Sequence, residues 1–254
     1  MDAVPLHHVE DGPAGAPVLV LGSSLGAVGR MWDPQVPALA DRLRVIRYDH
    51  RGHGGSPVPA GPYQLADLGG DVLALLDRLK VGRAHIGGLS LGGMVAMWLA
   101  AHAPERVDRL VLMSTSAKLG PPEGWAERAA AVRAGGTAAV ADTVVGRWFT
   151  PEYAAANPAT VTYYRDMIAA TPPEGYAACC GVVERMDLVP DLARIRANTL
   201  VISGTDDPAT PPVHAETIAA GISDARLELL PGHAHLANVS AAAEINALLA
   251  DFLA

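Results

Sequence analysis

The chain has 254 residues, half of them apolar, with 19 basic against 27 acidic side chains and a formal net charge of −8. That length suits one large α/β domain with an insertion. No apolar run approaches the ~20 residues that span a bilayer, and the acidic balance argues against nucleic acid as a partner while giving no long-range pull on an anionic substrate.

In chain order, strand-like and helix-like runs alternate. Residues 17–22 (PVLVLG) and 43–48 (LRVIRY) read as short buried strands. Between them, Asp33-Pro34 reads as a helix N-cap followed by proline at the first helical position. Residues 65–80 form an amphipathic helix, with Leu65, Leu68, Val72, Leu75, Leu76 and Leu79 on one side. A strand over 84–89, a buried helix over 91–101 and a strand over 110–113 follow. Residues 116–191 break the alternation: proline joints (Pro121-Pro122, Pro151, Pro158, Pro172-Pro173) separate Ala-rich helical pieces, which predicts an inserted helical cap. The pattern resumes with strands over 199–203 and 226–230 and a closing helix over 240–253. This order predicts an α/β fold, a mostly parallel sheet with helices on both faces. The core is expected from 1–115 and 192–254, the cap from 116–191.

Residues 87–96 read GGLSLGGMVA, a G-x-S-x-G element with an apolar strand before Ser90 and a buried helix after it. Small residues flank a serine in this way where it occupies a tight strand-to-helix turn. A serine hydroxyl is a poor nucleophile at neutral pH, so Ser90 needs a histidine base, and the base needs a carboxylate to fix its tautomer. After the 199–203 strand, GTDDPATPP supplies Asp206 and Asp207; after the last strand, PGHAHLANV supplies His233 and His235. The sequence leaves each pair open. His233-x-His235 has metal-ligand spacing, but neither an H-E-x-x-H element nor a cysteine cluster accompanies it, so no metal is expected. In YDHRGHGGSP, Asp49, Arg51 and His53 suit a loop organised by hydrogen bonds and glycines. The adjacent Cys179 and Cys180 cannot staple distant segments, which suits buried packing in a reducing cytoplasm. The opening MDAVPLHHVEDG lacks the features of a secretory signal.

The segments LGSSLGAVGRMWDPQVPAL, GPYQLADLGGDVLALLD, HIGGLSLGGMVAMWLA, TPPEGYAACC, GTDDPATPP and HAHLANV resemble those of 3-oxoadipate enol-lactonases. These are α/β-hydrolases of the β-ketoadipate route of aromatic degradation. The resemblance implies an α/β-hydrolase fold with Ser90 as nucleophile, Asp207 as the acid and His235 as the base. It puts Ser23-Ser24 where many hydrolases carry His-Gly, and the oxyanion-binding amides on Leu25 and Leu91. It implies hydrolysis of the enol-lactone to 3-oxoadipate through an acyl-enzyme, with no cofactor. The lactone carries a free carboxylate, so a cation is expected in its pocket. Arg133 is the expected anchor among Arg128, Arg133, Arg147 and Arg165, with Trp125 and Trp148 lining the pocket. A small-molecule substrate is the expected partner, with no nucleic acid and no membrane; a homo-oligomer is compatible with the sequence. A general carboxylesterase or a cofactor-free perhydrolase would use the same triad on another acyl group. A ligand-binding relative without turnover would not need the complete set.

Overall fold

The computed structural model describes residues 1–254. Its sheet has seven strands: β1 (His8–Asp11), β2 (Val18–Gly22), β3 (Arg44–Tyr48), β4 (Ala84–Leu89), β5 (Val107–Met113), β6 (Asn198–Gly204) and β7 (Ala225–Leu230). They run in the order β1-β3-β2-β4-β5-β6-β7. Only β1 is antiparallel, pairing His8 with Tyr48. The strand order turns back between β2 and β4, whose ends pair as Gly22 with Gly88. Crevices at the carboxyl ends of strands beside such a reversal are where open α/β sheets place their sites.

The helices are α1 (Val36–Leu39), α2 (Leu65–Arg78), α3 (Leu91–His102), α4 (Pro122–Gly135), α5 (Ala138–Val145), α6 (Pro151–Ala156), α7 (Pro158–Ala169), α8 (Pro173–Arg185), α9 (Pro212–Gly221), α10 (Ala237–Ser240) and α11 (Ala242–Phe252). The apolar stripe of α2 faces the core through Leu65, Leu68, Val72, Leu75 and Leu76, while Leu79 closes the helix half-buried. A capping box starts it, the Gln64 amide donating to Asp67 at 2.8 Å. All six residues of β4 are buried, as is nearly every residue of α3 behind it, so this strand-helix pair is the centre of the core. Beneath the neighbouring loop, Arg51 is buried and makes a two-pronged pair with buried Asp71, at 2.5 and 2.7 Å. No helix is long and apolar enough to cross a membrane.

Five helices, α4 to α8, lie between β5 and β6. Four of them begin at the prolines that punctuate this stretch, where a missing N–H costs nothing. The two linkers of the insertion are tied together by Leu188 N–H on the Ala117 carbonyl and by Lys118 with Asp187, both at 2.7 Å. The insertion is also bonded to the sheet loops, Thr171 donating to the Gly26 carbonyl and Leu236 N–H to that of Trp148.

Three local expectations are corrected. Asp33-Pro34 starts no helix: both residues lie inside a 3₁₀ segment, Gly29–Gln35, because the Asp33 carboxylate is taken by Arg47 instead of capping amides. The closing helix is broken at Ala241, whose φ of −121° separates α10 from α11. Strand β5 starts three residues early, its Asp108 and Arg109 half-buried at the sheet's end.

Candidate active site

Ser90 sits between β4 and α3 at φ +56° and ψ −115°, a conformation rare for a residue with a side chain. Neighbouring backbone holds it there. Ser90 N–H donates to the Met113 carbonyl at 3.0 Å, and Thr115 Oγ1 donates to the Ser90 carbonyl at 2.7 Å. The turn closes only because glycines flank it: a Cβ on Gly88 would lie 2.1 Å from the Gly92 carbonyl carbon, and one on Gly92 would lie 2.2 Å from the Gly22 carbonyl oxygen. The turn therefore lifts the Ser90 hydroxyl into a pocket lined also by Ser24, Leu25 and His235. The hydroxyl makes no hydrogen bond within the chain, and nucleophile–base bonds of this kind commonly tighten only with substrate bound.

Loops after β6 and β7 bring Asp207 and His235 together. His235 Nδ1 lies 2.8 Å from Asp207 Oδ2, and both residues are buried. A carboxylate only accepts, so Nδ1 carries the hydrogen and Nε2 keeps a lone pair. The other donors to Asp207 are Ala209 N–H at 2.8 Å, Thr210 N–H at 3.0 Å and the Thr210 hydroxyl at 2.8 Å. Burial alone would raise the Asp207 pKa, but His235 and these donors outweigh it and hold the carboxyl below its ordinary value. The other member of each pair is elsewhere. Asp206 is exposed and accepts from the Thr205 hydroxyl, while His233 Nδ1 meets Ser240 Oγ at 2.9 Å.

Leu91 supplies the first N–H of α3, which has no partner within its helix. Leu25 lies on the loop after β2 and lines the same pocket. That loop is fixed through Ser23, whose carbonyl accepts from Gly92 N–H at 3.0 Å and His50 Nε2 at 2.9 Å. A serine hydroxyl and a carboxylate-paired imidazole beside one chamber suit acyl transfer.

The chamber is narrow, about 60 Å³. It shares Leu119, Trp125, Arg128, Val144, Arg147 and Ala209 with an outer groove of about 550 Å³. Trp125 and buried Trp148 both reach the chamber, and Trp125 carries the Arg128 guanidinium at 4.6 Å from its ring centre. Arg133 does not reach it. Its guanidinium is half-exposed and locked on Glu174 at 2.8 and 2.9 Å, outside the chamber where it was expected, whereas Arg128 and Arg147 line the chamber and form no ion pair. Arg165 is spent on Asp166. Sequence reasoning missed Tyr176, a buried chamber residue whose hydroxyl has no hydrogen-bond partner. Its only signal was a phenol within the buried stripe of α8, with Cys179, Cys180 and Val183.

The loop histidines carry a stability prediction. Burial, and then the neighbouring His53, pushes His50 down to about 3; burial pushes His53 down to about 4. In the unfolded chain both titrate near 6.5. Between those values the unfolded state binds more protons, so this stability is fully present above pH 6.5 and is lost as pH falls. Urea unfolding should show about 3–4 kcal/mol less stability at pH 5 than at pH 7. Replacing both rings with glutamine should flatten that slope, and an equally steep slope in the double variant would contradict the assignment.

Comparison with known proteins agrees with this fold. The family model described as the alpha/beta hydrolase fold matches residues 17–242. The chain is 39% identical to 3-oxoadipate enol-lactonase 2 of Acinetobacter baylyi over 93% of its own length and 88% of that protein's. It is 35% identical to a protein of Variovorax paradoxus named for carbamate hydrolysis, over 99% of this chain and 97% of that one. The crystal structure of the enol-lactonase from Burkholderia xenovorans LB400 superposes with a TM-score of 0.96 at 42% identity, covering 98% of this chain and 96% of that one.

Proposed function

The chain belongs to the α/β-hydrolase family as an ester hydrolase, and we propose that its substrate is 3-oxoadipate enol-lactone, opened by an acyl-enzyme route. Ser90 attacks the lactone carbonyl while His235 Nε2 takes its proton and Asp207 stabilises the imidazolium. The oxyanion rests on the amides of Leu25 and Leu91. The ring C–O bond breaks to an enolate, a better leaving group than an alkoxide, which stays tethered to the acyl-enzyme and is protonated by His235. Water then gives its proton to His235 and attacks the acyl carbon, freeing Ser90. The released enol tautomerises to 3-oxoadipate. No step draws on a cofactor.

One observation carries the substrate choice. Arg128 and Arg147 border the Ser90 chamber without a counter-ion, beside the unpartnered Tyr176 hydroxyl. Arg128 is half-buried and Arg147 exposed at the chamber's rim; unpaired guanidinium groups there are stabilised by an anion, and a planar carboxylate matches their fork. Relatives named as enol-lactonases support the same reading.

The test is selective loss. Arg128→Ala and Arg147→Ala should each lower kcat/KM on the enol-lactone about tens-fold, the loss of one hydrogen bond to a charged group. An uncharged ester should lose several-fold at most, and Arg133→Ala should spare both substrates. Parallel losses on charged and uncharged substrates would contradict a carboxylate anchor at these arginines.

A further inference from the structure

The loop carrying Leu25 is held from behind by two histidines that the acyl-transfer scheme does not use. His50 Nε2 lies 2.9 Å from the Ser23 carbonyl, so it carries the hydrogen. Gly26 N–H donates to His53 Nε2 at 3.0 Å, and His53 Nδ1 faces the Arg51 carbonyl at 3.3 Å. A carbonyl cannot donate, so the His53 hydrogen is on Nδ1 and its Nε2 lone pair is free to receive Gly26. Both rings are buried and stay neutral across ordinary working pH. The tethered residues bracket Ser24 and Leu25. Gly26 itself has φ +84°, and a Cβ there would lie 2.9 Å from the Tyr176 ring, so the loop is pinned between His53 and the inserted helices.

We infer that His53, with His50 beside it, is a positioning residue that sets the direction of the Leu25 amide and so the geometry of oxyanion binding. Such donors must lie about 2.7–3.1 Å from the developing oxyanion, and a displacement of about an ångström can cost roughly 10²-fold in rate. Without the acceptor, Gly26 N–H is left buried and unmet, and the loop relaxes to satisfy it. The inference rests on the Ser90 acyl-enzyme reading but not on the lactone as substrate, because any acyl group uses the same amides.

The experiment compares His53→Leu, His53→Gln and His53→Asn using p-nitrophenyl acetate. Each variant is also titrated with a small alkylboronic acid, which adds to the serine as a tetrahedral adduct. His53→Leu should lower kcat about tens-fold with KM within about threefold, and should weaken the boronate by a similar factor. His53→Gln, whose amide oxygen reaches toward Gly26, should recover most of both. A merely structural histidine would lower the melting temperature and leave kcat per folded molecule unchanged. A His53→Leu kcat within twofold of the parent, or a kcat loss without a weaker boronate, would overturn the inference. Should His53→Leu fail to fold, the shorter His53→Asn should show the loss that His53→Gln avoids; equal kcat in those two would overturn it. A parent protein inert toward p-nitrophenyl acetate would overturn the acyl-enzyme reading and this inference together. Activity on that ester without lactone turnover would overturn the substrate proposal alone.

Discussion

Ser90→Ala should lower kcat on the enol-lactone by about 10⁴–10⁶, and His235→Ala by a similar factor, with the double variant no worse than either. On the proposed acyl-enzyme route the three losses coincide because nucleophile and base act as one unit: alanine at 90 leaves the imidazole nothing to activate, and alanine at 235 leaves the hydroxyl protonated. Neither change should unfold the chain. The turn at Ser90 is held by backbone bonds to Met113 and by Thr115, which alanine leaves in place. The informative control is His233→Ala, which should stay within several-fold of the parent, since His233 meets Ser240 and not Asp207. Steady-state kinetics with matched circular dichroism would check this. A dead His233→Ala beside an active His235→Ala would reverse the assignment of the base.

Asp207→Asn should cost about 10⁴ in kcat, by the reasoning that a neutral amide cannot hold the base in its working tautomer. In the parent, the carboxylate takes four donors and has no hydrogen to give. An asparagine amide turned toward the ring would donate to Nδ1 and force the hydrogen onto Nε2, which on the proposed route must be free to take the Ser90 proton. The charge that stabilises the imidazolium is lost as well. Asp206→Asn should change kcat only several-fold, because Asp206 is exposed and its carboxylate accepts from the Thr205 hydroxyl. Equal losses from the two variants would contradict the assignment of Asp207 alone.

The sheet and its helices were legible because the chain obeys simple periodicities. Apart from His85 and His102, β4 and α3 carry no polar side chain, α2 carries a clean stripe, and prolines mark the helix starts of the insertion. Strand β1 was not legible: its four residues, HVED, lie half-exposed at the sheet's edge and offer no apolar run. Asp33 misled because cap preference is local, whereas its partner, Arg47, comes from a strand 14 residues away. The pairs Asp206/Asp207 and His233/His235 stayed open from the residues alone, since both members of each pair lie on one loop and composition does not say which turns inward.

Arg133 lies away from the chamber for a geometric reason. Trp125 and Arg128 are three apart on α4 and share a face, which lies against the chamber. Arg133 is five residues beyond Arg128, about 140° around the helix, and faces Glu174 on α8 instead. Knowing which face of α4 met the site required knowing where α8 packed, a tertiary fact with no local signal.

A serine hydrolase with this chamber should select a lactone that carries a carboxylate. The most direct measurement is kcat/KM of the purified chain on freshly generated 3-oxoadipate enol-lactone, beside an uncharged ester and a small carbamate. The enol-lactone should be preferred by about 10² or more, the combined worth of hydrogen bonds from Arg128 and Arg147 to its carboxylate. Equal turnover of the uncharged ester, or faster turnover of the carbamate, would contradict it.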